Sequence, residues 1–509
     1  MSEQSPIDLD QETSPIDPES PKYVRLLANL QGNILKSHGR NHAVNLFLTF
    51  DDGTGEIDPG KIDKIRRWIS DFTARYVTSA LRQHYETKEF KVNHITGRLF
   101  AGFYLSAEGY KALGFGADEL DKFEEENLND EIPDDVDNSP ADIDVSFREG
   151  MAAGSLELKD LPPHQWEDNF RNNRIDALVL LADNEIDRLR DVTYLVSRRF
   201  EDLGVSFFRQ DGEVLRDEAS KEPIEHFGFR DGISQPVFIQ ADVDEARGEN
   251  FKDWDPFAPL KLVLVPDPLI AEDDCFGSYL VYRKLEQNVK GFNEEKAKLI
   301  EKLSLKDENQ ERAGALIVGR FRNGTPVMLF DKEQNAKSTN LNNFNYSEAD
   351  EETSTSNKCP YHAHIRRMNP RGETETPVNL EKELMRRIVR RGITYGERID
   401  KSVEPTENVG LLFLCFQRSI PKQFGFIQTI WANTSAFLGK ETSGLDPIIG
   451  RNESIQAGSP ERSQKWCPVW GSSEAAERFE FKSFVTLKGG EYFFAPSLPF
   501  LRSLAEKKT

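Results

Sequence analysis

Cysteine is scarce: Cys275, Cys359, Cys415 and Cys467 are the only four in 509 residues, and no C-x-x-C pair occurs. So few, so scattered, they cannot form a disulfide framework, and they point to a protein of a reducing compartment. Long apolar runs are missing as well; none approaches the roughly 20 residues that a membrane span needs. Positive charge is in deficit, 65 Lys and Arg against 87 Asp and Glu, for a formal net charge of −22. That balance excludes a nucleic-acid backbone or an anionic membrane surface as the main partner. The N-terminus does not begin basic and continue apolar as a secretory signal does, so a cytoplasmic location is expected. Neither a G-x-S-x-G elbow nor a G-x-x-x-x-G-K-[ST] loop is present to favour a serine nucleophile or a nucleotide.

What is present is a globular complement of apolar residues, 38% of the chain, arranged with changing period. Residues 1–20 hold six acids, three prolines and no Lys or Arg. A disordered acidic tail is expected over 1–24. Residues 117–147 and 334–358 are polar enough to read as long surface insertions. Between them, strands are expected at 43–50, 97–106, 175–183 and 205–210, with helices at 61–83, 107–116 and 184–200. The second half repeats the theme, with strands at 261–265, 277–285, 410–417 and 479–490 and helices at 293–304, 380–391 and 421–433. This pattern predicts an α+β protein of two ferredoxin-like domains, 25–225 and 226–509, of the dimeric α+β barrel type.

Three stretches can carry chemistry. In EHFGFRDGISQPVF (225–238), Gly228 and Gly232 bracket Asp231, putting a carboxylate where the chain bends sharply. A plain D-G turn, with Asp231 capping its own backbone, is the alternative. In KCPYHAHIRRMNPRG (358–372), Pro360 opens and Asn369-Pro370 stops a short helix. On that helix His362 and His364 lie about 200° apart, which favours one functional histidine over a metal pair. From 366 to 391 seven arginines occur: Arg366, Arg367, Arg371, Arg386, Arg387, Arg390 and Arg391. Arg390 and Arg391 can simply complement the end of a helix before Gly392. Seven guanidinium groups exceed that need and suit a small polyanion, whether phosphate, polycarboxylate or cofactor propionates. These residues leave two combinations open: a hydrolase with Asp, His and a phosphate-binding Arg, or a haem site with an axial histidine.

The same residues resemble a known family, the dye-decolourising peroxidases, in its longer fungal or cyanobacterial type. Gly228-Phe229-Arg230-Asp231-Gly232 is similar to its G-x-x-D-G signature, and His364-Ile365-Arg366-Arg367-Met368-Asn369-Pro370-Arg371 to its proximal-histidine segment. Arg390-Arg391-Gly392-Ile393-Thr394-Tyr395-Gly396 resembles the distal-arginine segment, and Asn29-Leu30-Gln31-Gly32-Asn33-Ile34-Leu35 the entry to the first domain. The resemblance spans about residues 25–505 and implies one haem b per chain with His364 as the axial iron ligand. It implies Asp231 as the distal acid-base group and Arg390 as its partner, with Arg391 the rival for that place.

Asp446 would accept the proximal imidazole N–H and strengthen the ligand, favouring high-valent iron; a turn before Pro447 is the plain alternative. Arg367 is expected among the cofactor contacts, Leu411 and Phe413 as the distal roof, and His362 near the haem edge. Tyr395 and Trp431 are candidates for surface oxidation of large dyes, with core packing the alternative for Trp431. The implied activity is oxidation of anthraquinone-type dyes and phenols by hydrogen peroxide, in a possible homo-oligomer. A haem carrier or sensor on the same fold is the other reading. With Asp as the base, an acidic pH optimum is expected.

Overall fold

The computed structural model describes residues 6–51, 58–123, 143, 145–248, 252–334, 342–346, 355–373, 377–397, 403–439 and 443–507. Its strands are β1 (His42–Thr49), β2 (Phe100–Leu105), β3 (Ala177–Asp183), β4 (Ser206–Glu213), β5 (Val265–Pro266) and β6 (Phe276–Gln287). They continue with β7 (Val389–Arg390), β8 (Ile393–Tyr395), β9 (Gly410–Gln417), β10 (Gln464–Trp466), β11 (Glu477–Phe479) and β12 (Val485–Ala495). Two antiparallel four-stranded halves, β4-β1-β3-β2 and β12-β6-β9-β7, share one strand order and meet at the single pair Phe494 and Leu105. In each half the first and third strands lie at the centre, and helices follow the first strand, as in a ferredoxin-like fold. β8 extends along β9, β5 along β6, and β10 with β11 forms a separate two-stranded ribbon.

The central strands form as short, largely apolar runs, and β3 (ALVLLAD) is buried over its whole length. Phe47 of β1 stacks on Phe208 at 4.7 Å and meets Tyr282 of β6 edge-on at 4.8 Å, so one aromatic layer ties the two halves together. Burying a ring of that size stabilises by about 2–3 kcal/mol. The expected helix 61–83 is two helices, Pro59–Arg75 and Ala80–Asn93, because the Ser79 hydroxyl accepts from Arg82 N and starts a new turn.

Four further expectations are corrected. The acidic segment is docked, not disordered, over its described residues 6–24. Ile16 is fully buried and bridges Ile239, and Ile7 N donates to Asp274 at 3.0 Å. Isoleucines set among the acids supply the apolar contact that a charge count overlooks. The insertion expected at 117–147 begins and ends in the core, with Leu120, Phe123, Val145 and Phe147 buried. Residues 124–142, and most of 334–358, lie outside the described residues. The helix expected at 380–391 is Pro377–Met385, since Val389 and Arg390 pair with β9 instead. Likewise 261–265 is a 3-10 turn, Leu260–Leu262, followed by β5.

Candidate active site

The odd-numbered side chains of β6 and β9 share one face, with Arg283 opposite Phe413 and Leu285 opposite Leu411. That face, with Leu487 of β12, walls a large cavity whose other wall carries His364. The expected roof residues, Leu411 and Phe413, both line it.

His364 opens a helix of five residues, His364–Met368, shorter than the sequence suggests. Its Nδ1 donates to Asp446 Oδ2 at 2.9 Å, and Asp446 is fully buried. The other oxygen, Oδ1, accepts the Ile448 and Ile449 N–H groups, each at 2.8 Å. The turn-forming and histidine-orienting readings of Asp446 are therefore both realised, one per oxygen. With Nδ1 committed, Nε2 is the ring nitrogen left for a ligand. Among the described residues no three His, Cys, Asp or Glu side chains gather as a metal cluster.

Asp231 lies on the same cavity, between Gly228 (φ 94°) and Gly232 (φ 74°), left-handed positions that glycine takes without strain. Its Oδ1 accepts Gly232 N at 2.7 Å and lies 3.5 Å from Arg390 Nη1. The D-G turn and the cavity carboxylate are one arrangement. Arg390 also donates to Ser234 O at 3.1 Å. Arg391 turns to the opposite side of the strand, away from the cavity, and its Nε and Nη2 donate to Asn33 O and Ile34 O. Alternation along β7 and its continuation thus separates two arginines that sequence spacing could not.

The structure moves several expected residues. Arg367 does not line the cavity; its guanidinium is buried, donating to the Trp431, Thr434 and Gly444 carbonyls and the Ser443 hydroxyl. It ties the loop that presents Asp446 to the end of the preceding helix, because a fully buried guanidinium seeks acceptors and the two together supply four. His362 precedes the helix and packs against Trp466, ring centroids 4.1 Å apart and planes tilted by 52°, fully buried and off the cavity wall. Burial pushes its pKa well below the usual histidine value. Tyr395 and Trp431 are only 8% and 6% exposed, so neither presents a ring to solvent. Tyr395 lies under the Lys284 ammonium, on the sheet face away from the cavity, and Trp431 packs edge-on to Phe426.

The arginine-rich stretch is divided by the fold. Arg371, Arg387 and Arg390 reach the cavity, and Arg320, from outside the stretch, joins them. Arg371 donates to the Asn342 and Phe344 carbonyls, Arg387 to Phe257 O, and Arg320 to Gly324 O and Asn342 Oδ1. Those acceptors are neutral. Burial pushes Arg320 down to about 9 and Arg371 and Arg387 to about 10, with neighbouring arginines adding to the effect on Arg320 and Arg387. Positive charge held at a cavity wall by neutral acceptors fits the carboxylates of a haem. Glu225 is a cavity residue the sequence reading passed over: it accepts the Phe227 and Phe229 N–H groups at 2.8 and 2.9 Å and the Gln287 amide. Burial raises its pKa. The available signal was an acid at the start of an otherwise apolar, glycine-rich turn.

The chain is similar to known proteins. Residues 261–440 match the family described as Dyp-type peroxidase, C-terminal. The chain is 37% identical over 508 residues to the multifunctional dye peroxidase DyP2 of Amycolatopsis sp. (strain ATCC 39116 / 75iv2), covering 94% of this chain and 96% of that one. It is 31% identical to Peroxidase 2 of Mycetinis scorodonius over 71% of each. The solved DyP-type peroxidase of Anabaena sp. superposes with a TM-score of 0.83 at 40% identity, covering 99% of this chain and all of that one. With its two ferredoxin-like halves and its cavity of histidine, aspartate and arginines, this chain belongs to the DyP-type peroxidases, a family of haem enzymes.

Proposed function

We propose that this peroxidase binds one haem b in the cavity, with His364 Nε2 as the protein ligand to iron and Arg320, Arg371 and Arg387 facing its propionates. It uses hydrogen peroxide to oxidise dyes and phenolic donors. The observation that carries the reading is one cavity lined by His364, which Asp446 holds from behind, and by Asp231 with Arg390 beside it. Bound haem supplies the redox chemistry that divides the peroxide O–O bond.

The residues do the rest. Asp231 accepts a proton from hydrogen peroxide and returns it to the oxygen that departs as water, since a carboxylate can serve two oxygens in turn. Arg390 places its guanidinium beside Asp231 and stabilises negative charge that develops as the bond lengthens. Leu285, Leu411 and Phe413 exclude water, which strengthens both interactions. A carrier or sensor would need His364 and the arginine cradle but not a paired Asp231 and Arg390, so that pair favours the enzyme.

Purified protein titrated with haem tests the assignment. A Soret band that forms with the native chain and fails with His364→Ala is expected. Asp231→Asn should keep the band and slow the reaction with peroxide about 10²–10⁴-fold. A Soret band of native position and stoichiometry in His364→Ala would refute it.

A further inference from the structure

Arg391 follows Arg390 in sequence and is 8% exposed, yet its bonds have nothing to do with the cavity. Nε donates to Asn33 O at 2.7 Å, Nη2 to Ile34 O at 2.9 Å, and Nη1 folds back onto the carbonyl of Arg390 itself at 2.9 Å. Each guanidinium nitrogen thus meets a main-chain carbonyl, and burial pushes the group down to about 9.

The seat is elaborately held. Asn33 takes a left-handed φ of 69°, its N–H donates to Gln83 Oε1 at 2.7 Å, and its Oδ1 accepts His38 N at 3.0 Å. Gln83 in turn donates to the Lys36 and Ser37 carbonyls. A Cβ on Gly32 would lie 2.8 Å from both Gln83 Oε1 and the Phe100 ring, so no side chain fits there. Gln31 bonds both the N–H and the carbonyl of Phe103 on β2, and the Pro496 carbonyl just after β12. The Gln31-Gly32-Asn33 segment is therefore a rigid cup fastened to both halves of the molecule, and it opens onto Arg391.

We infer that Arg391 is a positioning residue for the peroxide reaction: seated in the Gln31–Ile34 cup, it fixes the Arg390 backbone so that the Arg390 guanidinium faces Asp231. β7 is only two residues long; beyond its pairing with β9 through Val389 and Arg390, its main chain is held by Arg390 N–H to Gln235 Oε1 at 3.0 Å and Arg391 N–H to Leu414 O at 2.7 Å, and the Arg391 side chain adds the anchor that ties it to the first half of the molecule. The physical reason is leverage, because a short strand at a sheet edge has few bonds of its own to define where its side chains point. The inference rests on Arg390 being the distal donor proposed above.

Fluoride binding to the ferric holoprotein, read from the visible spectrum, is the test, because bound fluoride accepts hydrogen bonds from a distal donor. Arg390→Met should weaken it about tenfold or more, as loss of a charge-assisted hydrogen bond does. Arg391→Met should weaken it about as much with the Soret band and haem stoichiometry unchanged, and Arg391→Lys should recover part of the loss. The double variant should lose no more than Arg390→Met alone, since Arg391 acts only through its neighbour. Gln83→Met loosens the cup without touching β7 and should give a smaller loss of the same kind, so it decides the matter if Arg391→Met does not fold. Unchanged fluoride affinity in Arg391→Met, or in Gln83→Met where that variant decides, overturns the inference. So does a double variant whose loss is the product of the two single losses. Unchanged affinity in Arg390→Met would instead overturn the assignment of Arg390.

Discussion

The His364 imidazole donates from Nδ1 to Asp446 across 2.9 Å, although 82 positions separate the two residues. The bond fixes the tautomer and aims the second nitrogen at the cavity. Asp446→Asn should therefore weaken haem binding about 10–100-fold, the usual cost of losing such a partner. Haem titration of the apoprotein measures it, and an affinity within twofold of native would show that His364 is oriented by something else.

Arg367 acts on the same wall from behind. Replacing it with Met leaves the carbonyls of Trp431, Thr434 and Gly444 without their donor. A loss of about 3 kcal/mol or more in folding stability is expected, because buried acceptors are costly to leave unmet. Denaturant unfolding of the apoprotein reports this without any contribution from the cofactor.

Stability should also fall at alkaline pH, through Glu491. Burial raises its carboxyl to about 7, while one oxygen accepts the Met151 and Tyr492 N–H groups. A carboxyl raised above its ordinary 4.5 contributes fully below about pH 4.5 and loses that contribution as pH climbs through 7. Glu491→Gln keeps the accepting oxygen and removes the charge. It should melt higher than the native protein at pH 8–9, by roughly 2 °C or more, and match it near pH 4.5. Parallel melting curves across that range would exclude Glu491 as the source.

Tyr395 provides a test of how large dyes are oxidised. Its hydroxyl is buried and makes no hydrogen bond, and burial with the nearby Glu286 and Glu167 raises its pKa. Tyr395→Phe should leave the ratio of dye to small-phenol turnover unchanged and the melting temperature equal or higher, since an unpaired buried hydroxyl costs stability. A selective loss of dye turnover in steady-state assays would reinstate Tyr395 as a surface relay.

Much of this protein was readable along the chain. The strand periods of ALVLLAD and GLLFLCFQ, the glycines around Asp231 and the clustered arginines are local signals, and local chemistry dictates them. Strand alternation alone placed Leu411 and Phe413 together on one face, and the fold kept them there. Helix length was less legible near 385, because Arg386 to Arg391 favour a helix by composition while pairing with β9 favours a strand.

Composition and local spacing set the chemical types available: two histidines beside an arginine run, one carboxylate at a glycine turn, and an excess of acid elsewhere. Which of them meet is settled by the packing of the folded chain. It sent Arg390 to Asp231 and Arg391 to Asn33, and set Arg367 behind the wall while bringing Arg320 forward. It buried Tyr395 and Trp431, and folded the acidic segment down through Ile16. The reason is common to all of these. A side chain's direction and burial are set by strand register and by partners distant in the chain, and no spacing along the sequence encodes them.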